Sequence, residues 1–396
     1  MTFSILKYLL KKFITTKSIL IKFKEKDHLI DNNTDPLILK INNDKFLKKL
    51  FYAPSLVLAE GYMDNDYELP NATFYEFSEL ILDNYNFYLQ KLSQNFLFKF
   101  FLLINPLLQL NFSKKSKDNV ASHYDLSDRL YDLFLDETRQ YSCAYFEKED
   151  DSLSQAQLNK MERLSDKLSI SKNDRVLDIG CGWGSLSRFM SNNYHCSVKG
   201  ISLSEEQIKY CEIKKKESKN FSNLQYSLQD YRNENNTYNK IVSVGMFEHV
   251  GKKFYKAFFE SMNRLLKDDG IFLLHTIGVV DKPSPPNKFI NKYIFPGGVC
   301  PSFSQIIEPI EKTGLIVADT ETLIRHYDKT LESWLERFLA KKNLVKDLFD
   351  EKFVKMWEFY LVSCAAAFRY RDLAVFQLQI VKNFQSAHRT RDYIYS

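Results

Sequence analysis

The sequence predicts an α/β fold: a mostly parallel sheet flanked by helices, preceded by a smaller α+β domain. Three observations lead there. Val176, Leu177 and Ile179 form a short apolar run that ends at Gly180, Gly182 and Gly184, the pattern of a buried strand, a tight turn and a helix start. From Asp174 onward, apolar runs of strand length alternate with helical patterns, the mark of a parallel sheet. The polar residues Asp178, Ser202, Asp230, Glu248, His249 and His275 fall at or just beyond the ends of those runs, where such sheets carry their ligand crevice.

A chain of 396 residues has room for one large domain or two ordinary ones. Hydrophobic residues at 44% and charged residues at 27% define a globular protein. The 15% aromatic content suits a large apolar pocket, membrane-interface contact or an AT-rich codon bias. A net charge of +5 weakly favours an anionic membrane surface and does not indicate nucleic-acid binding. The 6 cysteines show no C-x-x-C pair and no zinc spacing. A disulfide framework or metal site is therefore not expected, and a reducing cytoplasm fits best.

Residues 1–26 mix apolar side chains with Lys7, Lys11, Lys12 and Lys17 and lack a cleavage site, so no signal peptide is expected. Short strands are expected over 19–23 and 36–41 around Asp31-Asn-Asn-Thr34. A helix over 46–58, interrupted at Pro54, and a second over 74–92 follow from helical spacing. The very apolar stretch 96–112 contains Lys99, Asn105-Pro106 and Gln109, and spanning a membrane takes about 20 apolar residues. It reads as a packed helix broken near Pro106, in preference to a segment lying against lipid. Lys114-Lys-Ser-Lys117 then marks a boundary between domains 1–113 and 114–396, or a basic face toward phospholipid.

In the second domain a helical stretch from Asn119 to about Leu135 precedes the loop Tyr141-Ser-Cys-Ala-Tyr-Phe146. Strands are expected over 174–179, 197–201, 223–227, 240–244 and 270–277. Ser204 caps a helix with Glu205 and Glu206 in its first turn. Helices over 254–266 and 353–368, a Pro- and Gly-punctuated insertion over 283–301 and a last strand over 373–381 complete the pattern. The polar tail from Ser386 is expected to fray.

Glycines at alternate positions let backbone approach a ligand closely. The helix from about Ser185 points its unpaired N–H groups at the same spot, so an anionic or carboxylate-bearing cofactor is the natural occupant. A dinucleotide fingerprint would read G-x-G-x-x-G with an acid about twenty residues on. Here Asp178 stands two residues ahead of G-x-G-x-G. This form resembles the S-adenosylmethionine (SAM) loop of Rossmann-like class I methyltransferases. In place of an acid after the second strand the chain has Ser202-Leu-Ser-Glu-Glu-Gln207, whose hydroxyl and amide groups can bond a ribose.

Further phrases extend the pattern: His123-Tyr-Asp-Leu126, Tyr141-Ser-Cys-Ala-Tyr145, Ile241-Val-Ser-Val-Gly-Met-Phe-Glu-His-Val-Gly251 and Phe272-Leu-Leu-His-Thr-Ile-Gly278. Phe289-Ile-Asn-Lys-Tyr-Ile-Phe-Pro-Gly297, His326-Tyr-Asp328 and Ser363-Cys-Ala-Ala-Ala-Phe-Arg369 follow. In this order they resemble the cyclopropane-fatty-acyl-phospholipid synthases, SAM-dependent lipid methyltransferases, from about residue 46 to the C-terminus. The resemblance implies a seven-stranded class I sheet, with an N-terminal domain that presents lipid and dimerises. It places Tyr141 and Ser142 over the SAM carboxylate. Leu177, Asp178, Gly180, Gly182, Trp183, Gly184 and Ser185 cradle its amino-acid part. Ser202, Leu203, Ser204 and Gln207 meet ribose and adenine, with Tyr231 and Arg232 near the adenine. A bicarbonate site maps onto Cys143, Glu248, His275, the backbone of Ile277, and Tyr327. Cys364 falls where the family has a candidate active-site cysteine. The implied partners are a phospholipid with an unsaturated acyl chain and an anionic membrane surface at the cytoplasmic face.

The implied chemistry accounts for these residue types. A cis alkene is a weak nucleophile and must meet the sulfonium methyl in line and without water. Methyl transfer leaves a carbocation on the chain, and a base must then remove a proton so that the ring closes. A fixed base beside SAM risks methylation, and bicarbonate can serve instead. Glu248, His275 and Tyr327 would hold that anion, with Glu248 accepting from its hydroxyl, while aromatic rings steady the cation. Bland alternatives exist: a helix-start acid, a core histidine, a half-buried phenol and packed thiols. For Glu248, His275 and Tyr327 the functional reading is preferred, because each lies in a matched phrase. For Cys364 the packed thiol is preferred. Rival outcomes are a methyl or methylene product, a small-molecule methyltransferase and a non-catalytic lipid binder.

Overall fold

In the sheet that carries the glycine loop, neighbouring residues along each strand face opposite cores. Leu177, Ile241, Phe272 and Leu274 join a buried cluster with Phe258, Phe259, Met262 and Leu265. Val176, Val242 and Leu273 join another with Met161, Leu164 and Leu168. A sheet buried on both faces reads as nearly continuous apolar runs, which is what the sequence shows. The computed structural model describes residues 2–14, 17–30, 35–50, 54–92, 128–217, 223–283 and 286–395. The expected helix over 96–112, the basic boundary at 114–117, the stretch 119–127 and the turn 31–34 lie outside the described residues.

The chain divides into two compact units. One comprises Met1–Leu133, Asn287–Pro296 and Trp334–Arg371, and the other Phe134–Pro286, Gly297–Ser333 and Asp372–Ser396. The sequence reading instead divides the chain once, between 113 and 114. Aromatic burial accounts for the discontinuity of the first unit: Phe359 meets Phe74 at 4.8 Å and Phe289 at 4.7 Å between ring centroids. Glu60 binds Lys292 at 2.6 Å in the same unit.

That first unit holds a four-stranded sheet, β1 (Ile19–Phe23), β2 (Lys26–Ile30), β3 (Leu37–Ile41) and β4 (Tyr67–Glu68), in the order β2-β1-β3-β4. The hairpin to β2 is not anticipated from the sequence. Its turn uses Lys24 and Glu25 at φ 51° and 60°, without the Asn-Gly signal of such turns. Around the sheet lie the helices Thr2–Phe13, Asp44–Leu50, Pro54–Met63, Phe74–Leu92 and Glu351–Tyr370. Pro54 opens its helix at the first position, where the missing N–H costs nothing, so the expected interrupted helix is two helices.

The second unit is built on seven strands: β5 (Arg175–Ile179), β6 (Ser197–Ser202), β7 (Leu224–Leu228), β8 (Tyr238–Val244), β9 (Leu266–Val279), β10 (Ile316–Leu323) and β11 (Leu373–Val381). Their order is β10-β11-β9-β8-β5-β6-β7. Only the pairings of β11 with β9 and β10 are antiparallel. The chain leaves β5 for β6 on one side and returns to β8 on the other, which creates a switch-point crevice between β5 and β8. Helices Ser185–Tyr194, Glu205–Lys216 and Tyr255–Leu265 make the crossovers. The fold is the expected seven-stranded, mostly parallel methyltransferase sheet. β10 is an addition to the sequence reading, because Ile316-Val-Ala-Asp-Thr-Glu-Thr-Leu323 is an edge strand interleaved with polar residues.

The tail from Ser386 does not fray, contrary to expectation. Arg163 Nη1 donates to the carbonyl of Ile394 at 3.3 Å, Arg391 pairs with Asp319 at 3.0 Å, and the rings of His388 and Tyr393 stack at 3.7 Å. Beneath this cover, Arg163 (2.8 Å) and Lys167 both bind Glu321. Burial pushes the Glu321 carboxyl up, but the hydrogen bonds and charges of Arg163 and Lys167 prevail and hold it at about 2. A depressed carboxyl stabilises the fold above its unfolded value, and the effect is lost as pH falls through the folded one. Glu321→Gln is therefore expected to lower unfolding free energy by about 3 kcal/mol in urea titrations at neutral pH. The deficit relative to the unsubstituted protein should shrink as pH falls toward 2. An unchanged midpoint at pH 7 would contradict the assignment.

Candidate active site

Gly180, Gly182 and Gly184 all take positive φ, at 76°, 54° and 74°, the conformation glycine adopts without steric cost. A Cβ on Gly184 would lie 2.5 Å from the Tyr226 hydroxyl and 2.7 Å from Cys211 Sγ. A Cβ on Gly182 would meet nothing within 4 Å, so the middle of the loop faces open space. Tyr226 donates to the Gly184 carbonyl at 2.9 Å, and Gly180 N donates to Ile201 O at 2.9 Å. These bonds pin both ends of the loop. Asp178 turns inward and accepts from Ser187 Oγ at 2.6 Å, tying the strand to the first turn of the helix from Ser185. Burial pushes the Asp178 carboxyl up to about 6 against that bond.

The other expected cofactor residues differ in how far their own groups are engaged. Trp183 is buried edge-on to Tyr210 at 5.3 Å, with the Arg139 guanidinium 5.0 Å from its ring. Ser202 Oγ donates to Gln207 Oε1 at 2.8 Å, and Ser204 accepts from Gln207 N as the helix cap. Leu203 is 74% exposed beside them. Tyr231 packs edge-on against Phe258 at 5.3 Å. Arg232 clamps Asp230 at 2.9 Å and 2.5 Å. Leu177 lies within the core. Tyr141 packs against Phe134 at 5.9 Å. Ser142 Oγ accepts from Lys160 Nζ at 2.7 Å, and its carbonyl accepts from Gln157.

Glu248 lies in a short 3₁₀ turn, Phe247–His249, just past β8. Its Oε1 accepts from the backbone N of Ile277 at 2.6 Å. Its Oε2 is buried and has no hydrogen-bond partner among the described residues. Burial pushes this carboxyl up to about 7, opposed by backbone N–H groups and the Thr276 hydroxyl. His275 is two residues before Ile277 on β9 and level with Val244 at the end of β8. Its Nδ1 meets Gln377 Nε2 at 3.1 Å. Burial, with the positive charges of Lys160 and Lys167, holds the imidazole well below its usual range. Cys143 is fully buried, donates to the Ala144 carbonyl at 3.3 Å, and has its thiol pushed up by burial.

The structure thus joins Glu248, Ile277 and His275 in one neighbourhood and ties Cys143 to it through Lys160, whose charge acts on both Cys143 and His275. Tyr327 is buried in the first turn of the helix His326–Ala340, one turn before Thr330, whose hydroxyl accepts from Ala144 N at 3.0 Å. Cys364 belongs to the other compact unit, and burial pushes its thiol up to about 12, which suits the packed reading. Sequence reasoning missed Lys160, Lys167 and Gln377. Their only local signal is polar residues at otherwise apolar positions: two lysines on a core helix and a glutamine inside the last strand.

This sheet, glycine loop and crevice define the fold of a SAM-dependent methyltransferase. Residues 112–378 match the model of the mycolic acid cyclopropane synthetase family, and the chain belongs to that family. Cyclopropane-fatty-acyl-phospholipid synthase of Escherichia coli (strain K12) is 38% identical over 361 residues, 90% of this chain and 91% of that protein. Cyclopropane mycolic acid synthase 1 of Mycobacterium tuberculosis is 36% identical over 276 residues, 66% of this chain and 96% of its own length. A solved mycolic acid cyclopropane synthase, complexed with SAH and CTAB, is similar with a TM-score of 0.63 and 36% identity. That likeness covers 66% of this chain and 96% of that one.

A buried carboxyl with a raised pKa favours the protonated fold. Its stability contribution is full below the unfolded value of 4.5 and is lost as pH rises through about 7. The difference corresponds to about 3 kcal/mol. Glu248→Gln removes that liability, so at pH 8 the variant should melt several degrees above the unsubstituted protein and near it at pH 5. A variant less stable at pH 8 would show that Glu248 carries no such burial cost.

Proposed function

We propose that this protein transfers the methyl group of SAM to the cis double bond of an unsaturated acyl chain in a phospholipid and closes a cyclopropane ring there with bicarbonate as the base. The observation that carries the proposal is the second oxygen of Glu248, buried without a partner among the described residues just past the end of β8. A buried polar atom without a partner costs about 1–3 kcal/mol, so a ligand with a hydroxyl fits there better than none. The open face of Gly182 likewise fits a cofactor held against backbone.

When bound, SAM supplies an electrophilic methyl group and bicarbonate accepts the proton whose loss closes the ring. The loop from Asp178 to Ser185 holds the amino-acid part of the cofactor against the N-terminus of the helix Ser185–Tyr194. Tyr141 and Ser142 cover that part, Ser142 being steadied by Lys160. Ser202, Leu203, Ser204 and Gln207 present hydroxyl, amide and apolar surface to the ribose and adenine, with Tyr231 and Arg232 at the far edge. Glu248 Oε2 accepts from the anion, and the Ile277 amide aims that carboxylate by holding Oε1. His275 and Tyr327 complete the anion site as donors, and Cys143 lines it. A water-free wall favours the reaction, because a water molecule would trap the cation.

Coverage favours phospholipid over mycolic acid as the substrate. The Escherichia coli relative, named for phospholipid acyl chains, spans 90% of this chain, whereas the mycobacterial relative spans 66%. The N-terminal unit accordingly presents the lipid and supports a homodimer. With a net charge of +5 the protein docks peripherally on anionic lipid at the cytoplasmic face. No described helix is long and apolar enough to cross a membrane.

Expression in cells that make monounsaturated phospholipids, followed by mass spectrometry of the acyl chains, tests this reading. Gain of one CH₂ with loss of the alkene is expected; a methyl branch, a methylene group or no change would contradict it. With purified protein, Glu248→Gln should keep its SAM affinity within about twofold while turnover falls at least a hundredfold, the scale of a lost proton-transfer contribution. Loss of SAM binding in calorimetry would overturn the role given to Glu248.

A further inference from the structure

Behind His275 runs a line of buried side chains whose hydrogen-bonding directions are dictated by their chemistry. Lys167, on the helix Leu153–Leu168, is fully buried, donates to Glu321 and donates to Gln377 Oε1 at 2.5 Å. Gln377, at the middle of β11, reaches His275 Nδ1 with its amide nitrogen at 3.1 Å. From this geometry we infer that Lys167 and Gln377 form a relay that fixes His275 as the neutral tautomer with its proton on Nε2, making both of them positioning residues for the anion site.

Each step follows from an inventory of donors and acceptors. An ammonium only donates, so the Gln377 atom facing Lys167 is the carbonyl oxygen. The other end of that carboxamide is an NH₂ group, which also only donates. His275 Nδ1 must therefore accept, and a neutral imidazole with a bare Nδ1 carries its proton on Nε2. Rotating the carboxamide by half a turn would set NH₂ against the ammonium, so Lys167 locks the amide, and the amide locks the ring. Burial pulls the Lys167 ammonium below its usual range, and the Glu321 carboxylate bonded to it counters that pull. An imidazolium would point a second N–H at the amide NH₂ with Lys160 and Lys167 close by, and burial further disfavours it.

The tautomer matters for the reaction proposed above, on which this part of the inference rests. Nε2–H is a donor, which suits an anionic base. The one in-plane lone pair of the neutral ring, on Nδ1, is also withdrawn from an electrophilic methyl group by the Gln377 amide. An imidazole nitrogen with a free lone pair in the same crevice would compete for methylation.

Long-range ¹H–¹⁵N spectra of histidine-labelled protein at pH 7.5 test the relay, with His275 assigned by its loss in His275→Gln. The expected signature is a bare Nδ1 and a protonated Nε2. In Gln377→Glu an acceptor faces Nδ1, so Nδ1 should become protonated and kcat should fall at least tenfold while SAM affinity stays within about twofold. A proton on Nδ1 in the unsubstituted protein overturns the relay without any variant, and so does a Gln377→Glu spectrum identical to it. This readout needs no ligand, so its failure leaves the anion site standing. A His275 Nε2 signal that holds as expected yet does not move on bicarbonate titration would instead overturn the assignment of the relay to that site.

Discussion

The constraint on which the site depends is a carboxylate kept out of water. Glu248 lies past the end of β8, where the crevice opens, with one oxygen tied to the Ile277 amide and the other without a partner among the described residues. Burying such a group costs several kcal/mol unless it is neutralised or paired. The fold offsets the cost with rigid surroundings: β8 and β9 run in parallel register as far as Val244 and His275, and the aromatic cluster of Phe247, Phe258 and Phe259 holds the 3₁₀ turn from below. A cation on an acyl chain survives only where water is absent, so the dryness that burdens Glu248 is also what the chemistry requires.

The same sheet also carries the glycine loop. The glycine loop is pinned by Tyr226 and Ile201 on one strand pair, while Glu248 and His275 come from the next. Helix Leu153–Leu168 connects the regions, with Lys160 at Ser142 and Lys167 at Gln377, two turns apart. Fully buried lysines on a core helix are rare unless paired, and both here are bonded to buried polar partners, Ser142 and Gln377. The Arg163–Lys167–Glu321 cluster secures β10 to that helix and also begins the line of bonds that ends at His275.

Much of the fold was legible in the sequence because its signals are local. The helix Phe74–Leu92 and the strand Leu373–Val381 lie within the expected limits, and the glycine loop announces itself through three residues that need positive φ. β2 and β10 were not legible, since their edge positions leave polar residues interleaved with apolar ones. The order of the tail is also a tertiary effect: Arg163 and Asp319 hold it from far away in the chain. For the site, Glu248 and His275 stood out only within matched phrases, because a lone acid or histidine has a bland reading. Lys167 and Gln377 show only as polar residues at otherwise apolar positions: they lie 210 positions apart, and His275 lies 102 positions from Gln377. Nothing in a local pattern joins residues so separated.

On the proposed mechanism an anion is captured between Glu248 and His275 beside the methyl donor. A crystal structure of the protein with S-adenosylhomocysteine, grown in bicarbonate, tests it most directly. A small planar anion is expected within hydrogen-bond distance of Glu248 Oε2 and His275 Nε2, on the side of the crevice that faces the sulfur. Density showing only water there, or Glu248 and His275 turned away from each other with no room for an anion between them, would contradict it.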